Sequence, residues 1–160
     1  MSATQAVRGF VAGFLGVLIF HQIALLVLHL AGIVPATPWN LTPVPPLSVP
    51  AVISAAFWGG LWGIVLTWLE PRFGEGAGPW LFGLLFGAIV PTLVAWFVVR
   101  PLKGIPVGPA LAWPGVIVGP IVNGAWGFGT ALLLRLLPGR RPDLTPPAAP
   151  GPRAVDAGRG

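Results

Sequence analysis

Between Phe10 and Leu30 the chain reads FVAGFLGVLIFHQIALLVLHL, 21 residues whose only strongly polar side chains are His21, Gln22 and His29. At about 1.5 Å of rise per residue, a helix of this length is roughly 30 Å long, the thickness of a bilayer's hydrocarbon core. A soluble fold would have to cover such a helix on every side. The remainder of the chain is poorly equipped for that, because 55% of the 160 residues are hydrophobic and only 8% are charged. Soluble domains carry about a quarter charged residues. Lipid is therefore the expected solvent for most of this surface. The run is too long for a signal peptide's apolar core, contains two histidines and lacks a small-x-small cleavage site after it. It reads as an uncleaved membrane span.

Three further runs share this character. Residues 51–69 (AVISAAFWGGLWGIVLTWL) are uninterrupted, residues 80–99 contain Pro91, and residues 115–137 contain Pro120 and Asn123. The expected architecture is all-α, a polytopic four-helix transmembrane domain over residues 1–137, with spans near 10–30, 51–69, 80–99 and 115–137. Residues 138–160, rich in proline, glycine and arginine, are too poor in apolar surface to order themselves and read as a disordered cytoplasmic tail. Between the first two spans, residues 31–50 carry six prolines and no charge. Proline at that density predicts an extended, stiff connection across the helix ends or in the interface, with Trp39 as an anchor.

The formal net charge is +5, and the position of each base decides what it means. Arg8, Arg72, Arg135, Arg140 and Arg141 flank the runs on one side of a four-span topology, whereas Arg100 and Lys103 lie on the other. The positive-inside bias then places both termini in the cytoplasm. Bases scattered at helix ends do not form a phosphate-binding stripe, so no nucleic-acid partner is expected. Without cysteine the chain has no disulfide, thiolate nucleophile or sulfur-ligated metal.

The segment from Pro50 to Gly63 overlays that from Pro114 to Gly127 at an offset of 64 without a gap. Pro50/Pro114, Val52/Val116, Ile53/Ile117, Gly60/Gly124, Trp62/Trp126 and Gly63/Gly127 are identical. This suggests a 2+2 internal repeat about an axis normal to the membrane. The first and third spans match less well, through Gly16 with Gly87 and Ala24 with Ala95. Compositional likeness among apolar, glycine-rich segments is the competing explanation.

Small residues four apart recur in every span, and Gly9/Gly13, Ala55/Gly59/Gly63, Gly83/Gly87 and Gly115/Gly119 are the expected close-packing positions. In lipid such spacing lets backbones approach and gain dispersion contacts. Pro91 and Pro120 should kink their helices. On a helical wheel Gly9, Gly13 and Gly16 share a stripe while Gln22 and His29 project almost opposite it. That second, polar face predicts a contact with another copy or another protein. Thr92 and Asn123 are candidate hydrogen-bond partners for His21 or Gln22, and the five form the candidate polar site. Trp39, Trp68, Trp80 and Trp113 fall near span ends and read as interface anchors, and Trp58, Trp62, Trp96 and Trp126 as packing residues.

Phe20 to Gln22 (FHQ), Thr42 to Ile64 (TPVPPLSVPAVISAAFWGGLWGI) and Asn123 to Leu136 (NGAWGFGTALLLRL) together resemble a family of small, uncharacterised four-span bacterial inner-membrane proteins. The resemblance implies a bacterial inner-membrane location and supplies no activity, cofactor or catalytic residue. Glu70, Glu75, Asp143 and Asp156 lie in loops or tail, and no nucleophile-base-acid set or metal-ligand spacing is present. The expected function is non-enzymatic, with no catalytic, cofactor or metal residues. It is an accessory or assembly subunit acting by association, with membrane lipids and either further copies of itself (a homo-oligomer) or a larger membrane complex as partners. The alternative is a small oligomeric transporter or channel with His21, Gln22 and Asn123 along its path.

Overall fold

The structure, a computed structural model, describes residues 1–45, 47–73 and 76–137. Four helices are long and apolar enough to cross a membrane: α1 (Ala3–Leu30), α2 (Ala51–Leu69, continued by a 3-10 turn over Glu70–Phe73), α3 (Gly78–Leu102) and α5 (Gly115–Leu136). A two-residue hairpin of β1 (Pro43–Val44) and β2 (Val49–Pro50) precedes α2, and a short α4 (Gly108–Leu111) precedes α5. The tail expected over 138–160 lies outside the described residues.

α1 begins seven residues earlier than its apolar run because Ser2 and Gln5 form a capping box. The Ser2 hydroxyl accepts from the Gln5 N–H and the Gln5 side chain accepts from the Ser2 N–H. Its far end closes on Gly32 at φ 70°, where the N–H groups of Gly32 and Ile33 reach the carbonyls of His29 and Leu28. A side chain would strain that left-handed turn. α3 overruns its expected end at Val99 and closes the same way, with Gly104 at φ 68° and Ile105 bonded back to the Arg100 carbonyl. Each of these long helices also contains one π-helical segment, Val17–His21 in α1 and Ala95–Val99 in α3. Pro91 and Pro120 sit inside helices that continue through them.

Two glycine seams hold the molecule together. Gly63 of α2 lies between Gly9 and Gly13 of α1: a Cβ on Gly9 would fall 2.8 Å from the Gly63 oxygen, and one on Gly13 2.9 Å from the Gly63 Cα. Gly127 of α5 lies in the same way between Gly83 and Gly87 of α3, 2.7 Å from a Cβ on the first and 3.0 Å from one on the second. The seam glycines of α3 thus follow those of α1 by 74 residues, Gly83 after Gly9 and Gly87 after Gly13. Gly119 meets the Thr92 methyl group and Trp96 of α3, whereas Gly115 packs on Pro109 and Ala110 of the short α4 and not on another long helix.

The two hairpins meet along α1 and α5. The buried Trp126 indole donates to the Gly13 carbonyl at 2.9 Å, Gly16 fits against Thr130, and Gly129 against the Phe20 ring. α2 and α3 touch through larger side chains, with the Trp62 and Phe86 rings 6.0 Å apart. Of the four tryptophans expected to pack, Trp58 differs: it is 60% exposed and projects away from the seam.

The seams also set how far each helix reaches. Gly63 is level with Val11, midway between Gly9 and Gly13, so Ala51, twelve residues before Gly63, is level with Ile23, twelve after Val11. α1 therefore runs seven residues, about 10 Å, beyond the start of α2. In the same way Gly127 is level with Leu85, so Gly115 is level with Phe97, and α3 overshoots α5 by five residues, about 8 Å.

Candidate functional site

The overshoot of α1 means that residues 31–50 must return along it before α2 can begin. They do not run across the helix ends, as proline content alone suggested. They fold back until Trp39 sits beside the middle of α1. The Trp39 N–H donates to Gln22 Oε1 at 2.7 Å, and its indole Nε1–H donates to the Leu18 carbonyl at 2.9 Å. Leu18 lies in the π segment, where carbonyls are released from the regular i to i+4 ladder and become available to outside donors. Meeting both acceptors holds Trp39 at φ 47°, a value uncommon for a residue other than glycine.

Around this contact the connection and the helices satisfy one another. Gln22 is 4% exposed, and its Nε2 lies 3.4 Å from His21 Nδ1, to which it donates when that nitrogen carries no proton. His29 Nδ1 pairs with the Val34 carbonyl at 3.2 Å. The first N–H groups of α2, which no helical carbonyl can serve, reach the connection instead: Ala51 N–H to the Thr42 carbonyl and Val52 N–H to the Asn40 carbonyl. The Asn40 side chain accepts from the Thr42 N–H at 2.8 Å and so closes the local turn. Pro35, Pro38, Pro43, Pro45 and Pro50 bring no N–H that would need an acceptor.

Gln22 and His29 each have a hydrogen-bond partner within the chain, in the connection that follows α1. Thr92 and Asn123 bond to each other, Nδ2 to Oγ1 at 2.9 Å across the α3–α5 contact, and not to His21 or Gln22. The polar residues therefore form two separate sets, one tying the connection to α1 and one tying α3 to α5. Trp39 is the residue that sequence reasoning placed elsewhere. The available signal was a 20-residue segment without any charge, which would be unusual for a loop in water.

The opposite end of the molecule holds the larger group of charged residues, Arg8, Glu70, Arg72 and Arg135. Arg72 lies 4.7 Å above the Trp68 ring and donates to the Trp68 carbonyl, and Arg135 lies 4.7 Å above the Trp80 ring. Arg8 and Arg135 are both close enough for their charges to act on Glu70, and the Arg8 Nε is buried without a hydrogen-bond partner among the described residues. Among the described residues no three His, Cys, Asp or Glu side chains gather into a metal-binding group. Comparison with protein-family models, curated proteins and solved structures finds no match for this chain.

Proposed function

We propose that this chain is a non-enzymatic integral membrane protein of a bacterial inner membrane, with four spans and both ends cytoplasmic, and that it acts by association as an accessory or assembly subunit. Four apolar helices with tryptophan-stacked arginines at one end, Arg72 on Trp68 and Arg135 on Trp80, support the membrane part of this reading. The shared seam register, the shared glycine caps and the shared π segments support a 2+2 repeat of one helical hairpin.

The observation that carries the association reading is Trp58. It lies next to Gly59 of the seam, well inside α2, and faces outward at 60% exposure. Its ring lies edge to face on Phe57 at 5.9 Å, and its indole N–H has no hydrogen-bond partner among the described residues. Tryptophan in membranes favours the interface, where the N–H is wet. At hydrocarbon depth the same group is stabilised by an acceptor on another helix. A transport path through His21, Gln22 and Asn123 has less support, since Gln22 is engaged by Trp39 and Asn123 by Thr92.

A photo-reactive amino acid at position 58 tests this in native membranes. It should crosslink to one defined protein, a second copy or another subunit, while the same group at the exposed Phe97 yields lipid adducts. Trp58→Phe, which removes only the N–H, should lower recovery of that complex about threefold, for a hydrogen bond of about 0.6 kcal/mol. Lipid adducts alone at position 58, with a monomeric protein, would refute association through this face.

A further inference from the structure

We infer that residues 38–42 form a re-entrant strap embedded in the outer leaflet, in contact with lipid acyl chains, instead of part of a loop in water. This rests on the membrane reading above and adds a fifth membrane-embedded segment to the four spans.

The depth follows from α1 itself. Arg8 marks the charged end, and the Leu18 carbonyl that holds the Trp39 indole is ten residues further on, about 15 Å. From Leu18 to the end of α1 at Leu30 is another twelve residues, about 18 Å. A hydrocarbon core about 30 Å thick that starts near Arg8 reaches to about His29. Trp39 is then close to the bilayer middle, and Ala51, where α2 starts, is level with Ile23 and so buried in the outer half. The outer end of α2 lies well below the surface, and the chain has to reach it through lipid.

The chemistry of the segment suits that position. Irregular backbone persists at membrane depth only where its polar groups find partners in the protein. Here the Trp39 N–H has Gln22, the Thr42 N–H has Asn40 Oδ1, and the Asn40 and Thr42 carbonyls receive the first N–H groups of α2. Pro38 and Pro43 on either side have no N–H to satisfy. Leu41 is 69% exposed and Trp39 42%, with the exposed, uncharged Asn40 and Thr42 beside them. Residues 31–50 contain no charged side chain, so no ionic group opposes the segment's entry into lipid. The mid-helix π segment and Gln22, both costly features in an isolated span, are explained as the dock for this strap.

The chain has no native cysteine, so a nitroxide can be placed at one engineered cysteine at a time in the full chain reconstituted in phospholipid vesicles. Leu41→Cys is compared with Ile89→Cys, on the exposed face of α3, and with Lys103→Cys, beyond the end of α3. Collisions are read with oxygen, which partitions into lipid, and with a water-soluble nickel chelate. A label at 41 that resembles the one at 89, rich in oxygen and shielded from nickel, is the expected result. Adding Gln22→Met, which removes the acceptor for Trp39, should move the label at 41 toward the value at 103. A label at 41 that resembles 103 in the unaltered background overturns the strap while 89 remains in lipid and preserves the spans. A label at 89 that is itself open to nickel overturns the membrane reading and the strap together. A label at 41 unmoved by Gln22→Met overturns the role given to Gln22.

Discussion

Gly63 and Gly124 make a matched pair for testing the seams. Both are helical glycines in the interior of the protein, so replacing either with alanine brings the same gain in helix propensity, about 1 kcal/mol. They differ in what the new methyl group meets. At Gly63 it would stand 2.8 Å from the Gly13 Cα and closer still to the Gly9 carbonyl oxygen, both backbone atoms that cannot rotate away. At Gly124 it would meet the Ala88 methyl group at 3.4 Å and the Leu84 oxygen at 3.6 Å, ordinary contacts. Overpacking of this kind costs about 1–3 kcal/mol. Gly63→Ala should therefore be destabilised by about 0–2 kcal/mol relative to the parent, and Gly124→Ala unchanged or more stable by up to about 1 kcal/mol. The difference between the variants, about 1–3 kcal/mol, is the sharper quantity because the propensity gain cancels. Reversible unfolding in mixed micelles of a mild detergent and sodium dodecyl sulfate, followed by tryptophan fluorescence, measures it. Equal stability of the two variants would refute a backbone-to-backbone seam between α1 and α2.

Other expectations follow from individual hydrogen bonds. Trp39→Phe removes the donor to the Leu18 carbonyl but keeps the ring, and in the same assay it should destabilise by about 0.6 kcal/mol and by no more than about 1.7. Gln22→Met leaves the Trp39 N–H without its acceptor and should fall in the same range, with proteolysis or hydrogen exchange rising first at residues 38–42. For the Thr92–Asn123 pair, a double-mutant cycle with Thr92→Val and Asn123→Leu should give a coupling of about 0.6 kcal/mol, whereas a cycle between Gln22→Met and Asn123→Leu should give none.

The long helices were legible in the sequence because hydropathy over 20 residues is a property of the segment and needs no partner. The seams were legible in part: spacing of four picked out Gly9, Gly13, Gly59, Gly63, Gly83 and Gly87, but only the fold shows that Gly63 and Gly127 occupy the gaps between their partners. The partner of Gln22, the Trp39 N–H, was not legible. A helical wheel assumes 100° per residue throughout, and the π segment at Val17–His21, closed by the Gln22 N–H reaching back to the Val17 carbonyl, breaks that count. Every residue after it is turned from its wheel position. The return of residues 31–50 was hidden as well. It depends on how far α1 outruns α2, which is set by Gly63 lying between Gly9 and Gly13, a register between two helices that neither sequence contains alone.

Two hairpins that cross the membrane four times require Ser2 and Arg72 on one side and Lys103 on the other. Because the chain contains no cysteine, single cysteines at these three positions can be labelled in intact cells with a membrane-impermeant maleimide and again after permeabilisation. Lys103→Cys should react in intact cells, and Ser2→Cys and Arg72→Cys only once the membrane is opened. Reaction of Ser2→Cys and Lys103→Cys from the same side would contradict the four-span architecture.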